Sequence, residues 1–285
     1  MEIFKSLQHF ASLIPENLKE YKECFPKESN AAEAIHLAIS ILLNDSIFNS
    51  EDDSQITVGM LGFGVHSSWI SSLNMVMAGH IDTGYSEIRR AIEFTCYAAK
   101  IINSKERASY WLKQRNDPEA RSKFSGQFQI PNSYKNDNYK FLRALLMTYD
   151  TANYYGAHAN LETMIGKIEV AEGSIKFRYQ ADKEIIYLAA PSFIMSGYRM
   201  LQALIIIFGD KVILPPNFKE TMSYVQESIR ELRLDLANSY YEGKIPDTVK
   251  KLILLDNDSE TDKMFEEMIE KERLRKESNK KKATS

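Results

Sequence analysis

Cysteine is scarce in this sequence: only Cys24 and Cys96 occur among 285 residues, and they lie far apart. Proteins held together by disulfides carry more cysteines at short spacings, so a disulfide framework does not fit. The first residues, Met-Glu-Ile-Phe-Lys, contain neither the basic stretch nor the apolar run of a signal peptide. We therefore expect a cytoplasmic protein in a reducing compartment, with Cys96 as a plain core thiol.

The sequence also lacks the short motifs of common catalytic and cofactor sites. Its five histidines are widely spaced, and no His-x-x-x-His pattern occurs. A Gly-x-Ser-x-Gly elbow is absent, and Gly59, Gly62 and Gly64 are not followed by the Lys-Ser or Lys-Thr of a phosphate-binding loop. We therefore expect no metal site and no cofactor, and we attribute these glycines to close packing between helices.

One apolar stretch, residues 185–209, is long enough to cross a bilayer. It contains Pro191, Arg199 and Gln202, and a central arginine is costly inside a membrane. We therefore expect a buried central helix and no membrane span.

Charge is distributed unevenly. The chain has a net charge of −3, but residues 271–285 carry seven Lys/Arg against two Glu, a net of +5 that leaves −8 on the rest. A basic tail on an acidic body is typical of contact with nucleic acid or an anionic membrane surface. The alternative is a solvated helix end without a partner.

An apolar period of 3.6 residues dominates the chain and predicts a mainly α protein, a multi-helix bundle. Alternating residues predict one small β-hairpin at about 167–179. Residues 117–138 have few periodic apolar positions, and we expect a long excursion there. We predict a helical bundle domain over 1–256, with its core at about 60–210, and a charged C-terminal helix with a basic tail over 257–285.

Two polar residues border the apolar stripe of a helix predicted from about 82 to 103. At 100° per residue, Arg89 falls roughly 60° and Glu93 roughly 100° from the centre of the stripe, whereas Arg90 points almost directly away. In a partly dry site, such an i,i+4 pair could anchor an anion or orient a histidine. The alternative is an ordinary surface pair, which contributes a few tenths of a kcal/mol.

The helix predicted from about 139 to 164 contains a single histidine, His158, on the same face as Tyr154. This histidine is a candidate general base, proton donor or metal ligand, beside the commoner alternative of a histidine bonded to a carbonyl or hydroxyl. A metal site formed with Glu93 and His80 is a less favoured alternative. The candidate catalytic residues are His158, Arg89 and Glu93, and the candidate binding residues are Tyr154, Tyr155, Arg90 and His80.

These two helices give the chain a resemblance over about residues 60–210. The chain resembles uncharacterised bacterial all-helical proteins classed as domains of unknown function, in which an Arg-x-x-x-Glu helix precedes a Tyr/Ser-rich helix with one His. That group is distantly similar to the HEPN-like helical superfamily, whose active members are metal-independent ribonucleases with Arg-x(4–6)-His on one helix. The residues that carry the resemblance here are Arg89, Glu93, Tyr154, Tyr155 and His158.

The chain departs from the ribonuclease pattern at one point. None of the residues shortly before His158, among them Ala152, Asn153 and Tyr154, is an arginine. An active site of that kind would need its arginine from the other helix, at Arg89.

Three functions follow as hypotheses. We predict a helical binding or accessory protein of a bacterial stress or defence locus, whose Arg/Glu/His centre holds structure or binds a small anion or nucleotide. The first alternative is a HEPN-like ribonuclease that cleaves RNA with His158 as general base and with Arg89 stabilising the charge of the transition state. The second is an interaction scaffold, a homo-oligomer assembled through the charged helix at about 258–282.

Overall fold

The computed structural model of the chain describes residues 7–156, 168–171, 174–177, 183–209 and 211–241. Most of these residues are helical. The α-helices are α1 (Leu7–Cys24), α2 (Pro26–Asn44), α3 (Asp53–Met77), α4 (Ile81–Ile101), α5 (Lys105–Lys113), α6 (Pro118–Gln127), α7 (Arg143–Gly156), α8 (Lys183–Phe208) and α9 (Phe218–Tyr241). Two 3-10 helices, Asn132–Tyr134 and Asp137–Leu142, precede α7. The predicted mainly α class is confirmed.

Two short strands lie between α7 and α8. Strand β1 (Ile168–Ala171) pairs antiparallel with β2 (Ser174–Phe177), in a register that places Ile168 opposite Phe177. Both strands fall inside the segment 167–179. The charged C-terminal helix and the predicted boundary at residue 257 lie outside the described residues.

Side chains fix the starting points of several helices. At the start of α3, the carboxylate of Asp52 accepts a hydrogen bond from the backbone N of Ser54 at 3.0 Å. Ser104 does the same for Arg107 at 3.2 Å ahead of α5. Such caps satisfy amides that the first turn of a helix leaves unpaired.

The expected excursion at 117–138 is wrong, because α6 and a 3-10 helix occupy most of it. Asp117 caps α6 by accepting bonds from the backbone N of Glu119 at 2.9 Å and of Ala120 at 3.2 Å. Pro118 follows at the first helical position, where its fixed φ and missing N–H are tolerated. Pro118 is thus part of a helix start.

The core is formed by α3, α4 and α8, with α7 packed on α4 and α2 packed between α8 and α9. The large side chains at its centre are fully buried. They include Trp69, Phe193, Phe208, Ile39, Ile88 and Ile92. Helix α4 therefore contacts both α7 and α8.

Glycines allow the closest helix contacts. A Cβ built on Gly197 of α8 would lie 2.2 Å from the indole of Trp69, and one on Gly62 would lie 2.5 Å from Leu43. Trp69 is 1% exposed and donates a hydrogen bond from Nε1 to the carbonyl of Phe193 at 2.9 Å. Tight helix packing, predicted for the glycines of α3, is confirmed at Gly62.

Helix α8 passes a length and composition test for a membrane span over Ile185–Phe208, but 89% of that window is buried inside the protein. Its polar residues are also buried: the Arg199 guanidinium donates to the Gln202 side-chain oxygen at 2.8 Å. The helix therefore occupies the place of a core helix.

Candidate functional site

The predicted pair on α4 forms, and a third residue completes it. Arg89 donates from Nε to Glu93 Oε1 at 3.0 Å. The hydroxyl of Tyr149, on α7, donates to the same oxygen at 3.2 Å. One carboxylate oxygen thus joins α4 to α7, and we call Arg89, Glu93 and Tyr149 the carboxylate clasp.

The clasp lies at the edge of the core rather than inside it. The Arg89 side chain is 36% exposed and that of Glu93 is 24% exposed, whereas Tyr149 is buried. The Arg89 guanidinium also lies over the Tyr149 ring, 5.7 Å from its centroid. An arginine in this position has its orientation fixed while it still reaches solvent, a combination suited to holding an anion.

Electrostatics keep Arg89 and Tyr149 each in one protonation state. Burial, and then the charge of Glu93, raise the pKa of the Tyr149 phenol above its ordinary value. Burial disfavours the charge of Arg89, but the Tyr149 hydroxyl and the Glu93 carboxylate outweigh it and raise the pKa of the guanidinium. Tyr149 therefore stays a donor and Arg89 stays a cation throughout the physiological range.

The structure does not bring Arg90 or His80 to the clasp. Arg90 is exposed and pairs with Glu87 at 3.1 Å on the outer side of α4. His80 is the residue that precedes α4, and at a rise of 1.5 Å per residue it lies about 13 Å from Arg89 along the helix axis. Neither residue can therefore share a small ligand with Arg89 in the way that Tyr149 can.

The two candidate tyrosines lie around the first half of α4. The ring of Tyr155 stacks on Tyr85, with centroids 5.2 Å apart, and Tyr85 in turn contacts Phe193 at 5.0 Å. Burial and then Tyr155 raise the pKa of Tyr85 to about 12. Tyr154 is 52% exposed and meets Tyr155 edge to face. Tyr155 thus belongs to the α4–α7 packing, and Tyr154 faces solvent.

His158 lies outside the described residues, so its place relative to the clasp stays a prediction. The end of α7 contacts α4, because the Ser86 hydroxyl donates a hydrogen bond to the carbonyl of Gly156 at 2.6 Å. A Cβ on Gly156 would lie 2.6 Å from the backbone N of Ser86. The last described turn of α7 is therefore in direct contact with the helix that carries Arg89.

A second cation on α4, Lys100, was not anticipated from the sequence. Its side chain is buried, and its ammonium donates to the backbone carbonyl of Gln127. The Nζ atom lies 4.4 Å from the ring centroid of Tyr134, 5.8 Å from that of Phe128 and 6.0 Å from that of Tyr139. We call Lys100 and these three rings the lysine enclosure.

The described contacts of Lys100 include no carboxylate that would neutralise its charge. Burial, and then the nearby Arg107, lower its pKa to about 8. The faces of the rings favour the cation in compensation. A signal for this site was present in the sequence, because aromatic residues are frequent between 124 and 139; a segment expected to be a loop gave no reason to connect them to α4.

Two histidines that the sequence places 30 residues apart come together between α2 and α3. His36 Nδ1 and His66 Nε2 lie 3.0 Å apart, and their rings stack. Burial, and then the neighbouring His36, lower the pKa of His66 to about 4. Within the part of the chain that the structure describes, no group of three or more His, Cys, Asp or Glu is arranged to hold a metal ion.

Cys96 is fully buried on α4, and burial raises the pKa of its thiol well above the usual range. A thiol in that state is a poor nucleophile. The prediction of a core thiol is confirmed.

No protein-family model, curated protein or solved structure matches the chain. The resemblance to HEPN-like proteins therefore finds no support in these comparisons and stays a prediction. What the site does must be argued from its geometry.

Proposed function

We propose that the chain is a helical binding or accessory protein that holds a small anion or nucleotide at the carboxylate clasp. The observation that supports this proposal is that Arg89 is held in place by the other clasp residues and still reaches solvent. Glu93 receives both Arg89 Nε and the Tyr149 hydroxyl, which fixes the guanidinium, while a third of the Arg89 side chain stays exposed. A fixed, solvent-reaching guanidinium loses little entropy when it pairs with an anion.

The test is ligand binding by the purified chain, with AMP, GMP and inorganic phosphate as probes. We expect a thermal shift that Arg89→Ala reduces and that His158→Ala weakens. Arg90→Ala is the matched control, because Arg90 is the next residue on the same helix but is exposed and pairs away from the clasp. Equal binding by the Arg89→Ala and Arg90→Ala variants would exclude the clasp as the binding site.

A metal-independent ribonuclease is the second candidate. It is favoured by the contact of α7 with α4 at Gly156 and Ser86, which joins the helix predicted to carry His158 to the helix with Arg89. In this proposal His158 is the general base and Arg89 stabilises the transition-state charge. The test is cleavage of single-stranded RNA in the presence of EDTA. Cleavage that is lost in His158→Ala and retained in Arg90→Ala would support the ribonuclease proposal. Cleavage that persists in His158→Ala would contradict it.

We also propose a cellular location and an oligomeric state for the protein. We place the protein in the cytoplasm of a bacterium, in a stress or defence system, because an accessory protein with an anion site fits that role. Assembly into a homo-oligomer through residues 258–282 is tested by light scattering. An unchanged mass after deletion of 258–285 would contradict it.

A further inference from the structure

A pocket of about 210 Å³ lies between the segment of the two 3-10 helices and one side of α7. It is separate from the carboxylate clasp, because its α7 residues are Arg143, Leu146, Met147 and Asp150, whereas the clasp uses Tyr149. We call it the α7 pocket. Part of its lining, Pro131 to Asn136, belongs to the segment that was expected to be an excursion, and the proposed function leaves the pocket without a role.

Positive charge dominates the lining of the α7 pocket. Lys135, Lys140 and Arg143 face a single carboxylate, Asp150, in a chain whose net charge is −3. Within the described residues, Lys135 and Arg143 make no hydrogen bond and no ion pair through their side chains. Like charges gathered in one pocket repel one another, and a bound anion relieves that repulsion.

Arg143 is the first residue of α7, and its backbone N–H donates a hydrogen bond to the carbonyl of Lys140 in the preceding 3-10 helix. The positive charge at this edge of the pocket is therefore that of the exposed Arg143 side chain.

The remaining lining is aromatic and apolar. It includes the ring of Tyr139 and the side chains of Leu146 and Met147, the last of which is 43% exposed. Tyr139 contacts Tyr134 with ring centroids 5.2 Å apart, and the ammonium of Lys100 lies 4.4 Å from the ring centroid of Tyr134. This wall is therefore fixed by the lysine enclosure and suits a planar ring.

The volume and polarity of the α7 pocket limit the class of ligand that it can bind. Pockets for drug-sized molecules usually measure about 300–1,000 Å³, so this one holds a phosphate and one ring system at most. Asp150 lies about 10 Å from Arg143 along α7, at seven residues and a rise of about 1.5 Å each. A cation at one end and a hydrogen-bond acceptor at the other match a ligand with a phosphate at one end and a hydroxyl or amine at the other.

We propose that the α7 pocket binds a nucleoside monophosphate group, with the phosphate on Lys135 and Arg143 and the base against Tyr139 and Met147. This proposal does not depend on the carboxylate clasp. The same group occurs free in solution and at the phosphorylated 5′ end of an RNA, and the experiment separates these two sources.

The experiment is titration calorimetry of the full chain with AMP, and in parallel with adenosine and inorganic phosphate. AMP should bind more tightly than either component. The Lys135→Ala/Arg143→Ala variant should raise the Kd for AMP by about tenfold to a hundredfold, since each lost contact is a charged hydrogen bond. The control is Lys113→Ala/Lys123→Ala, which removes two exposed cations of α5 and α6 outside the pocket and should leave the Kd unchanged.

Two further comparisons complete the test. If Arg89→Ala raises the Kd for AMP and Lys135→Ala/Arg143→Ala does not, AMP binds at the clasp and the pocket proposal is overturned. A 5′-phosphorylated RNA hexamer that binds more tightly than AMP, with the same dependence on Lys135 and Arg143, identifies an RNA end as the ligand; weaker binding identifies the free nucleotide. No AMP binding at millimolar concentration, or equal binding by the pocket and control variants, overturns the proposal.

Discussion

Arg89 and Lys100 are two cations on the same helix, and the protein holds their charges in opposite ways. Arg89 lies against a carboxylate and reaches solvent. Lys100 lies among three aromatic rings and a backbone carbonyl, is 7% exposed, and has its pKa lowered to about 8 by burial and Arg107. The first arrangement leaves the cation available to a ligand, and the second uses the cation to hold a segment of chain in place.

This difference separates a candidate binding residue from a structural one. Lys100 joins α4 to the end of α6 and to both 3-10 helices, because its partners are Gln127, Phe128, Tyr134 and Tyr139. Removing it should therefore disturb folding. Removing Arg89 should disturb ligand binding and leave the fold largely intact.

The largest expected effect is that of Lys100→Ala. The change removes a buried side chain and leaves a cavity, the carbonyl of Gln127 loses its donor, and three rings lose their cation. We expect the free energy of unfolding to fall by about 2–4 kcal/mol, measured by urea denaturation. Lys113→Ala, on the exposed face of α5, should change it by less than about 0.5 kcal/mol. A loss below 1 kcal/mol at Lys100 would show that the enclosure is not structural.

Lys100→Met tests the charge rather than the volume. At pH 7 we expect a loss of about 1–3 kcal/mol, because the Gln127 carbonyl is left unpaired. The folded pKa of Lys100 is about 8, below the unfolded value near 10.5, so the unfolded chain binds more protons between these values and Lys100 contributes more stability as pH rises. The difference between wild type and Lys100→Met should therefore grow from pH 8 to 10. A constant difference would mean that the rings offset the desolvation.

Tyr149→Phe removes the hydroxyl that links α7 to Glu93 while keeping the ring under Arg89. We expect a loss of about 1 kcal/mol, the usual value for one neutral donor to a partly buried acceptor. Urea denaturation measures it. In a Glu93→Gln background the same change should cost less, since the charged acceptor is gone; equal costs in the two backgrounds would show that Tyr149 and Glu93 do not interact.

The smallest effect is expected for the Arg89–Glu93 pair itself. A double-mutant cycle with Arg89→Gln and Glu93→Gln should give a coupling of about 0.3–0.5 kcal/mol, as for other partly exposed i,i+4 pairs, and it should shrink in 1 M salt. A coupling above 2 kcal/mol would make Arg89 a structural residue like Lys100 and would remove the contrast.

Local rules predicted the parts of this protein that depend on neighbours in sequence. The Arg89–Glu93 pair is set by helix geometry alone, since residues four apart lie side by side. The class of the fold followed from apolar periodicity. The buried helix that includes Arg199 followed from a long apolar stretch interrupted by a charge. Each of these predictions rests on residues that are close together in the sequence.

The parts that sequence reasoning missed depend on contacts between distant segments. Tyr149 joins the clasp only because α7 packs on α4, and Lys100 meets Tyr134 only because α6 and the 3-10 helices fold back over α4. The scarcity of periodic apolar positions predicted an excursion in that region, yet Pro118 is the first residue of α6. A residue type that both ends and begins helices does not distinguish a loop from a helix start without the cap at Asp117.

The contact between Trp69 and α8 gives the protein an optical reporter of its own centre. Trp69 is one of two tryptophans in the chain, is almost completely shielded, and is hydrogen-bonded to the carbonyl of Phe193. Trp111, the other, is only partly covered. In a Trp111→Phe variant Trp69 would be the single indole, and its fluorescence emission wavelength would report on the α3–α8 contact. Loosening of the core at this contact could then be measured separately from events at the clasp or the α7 pocket.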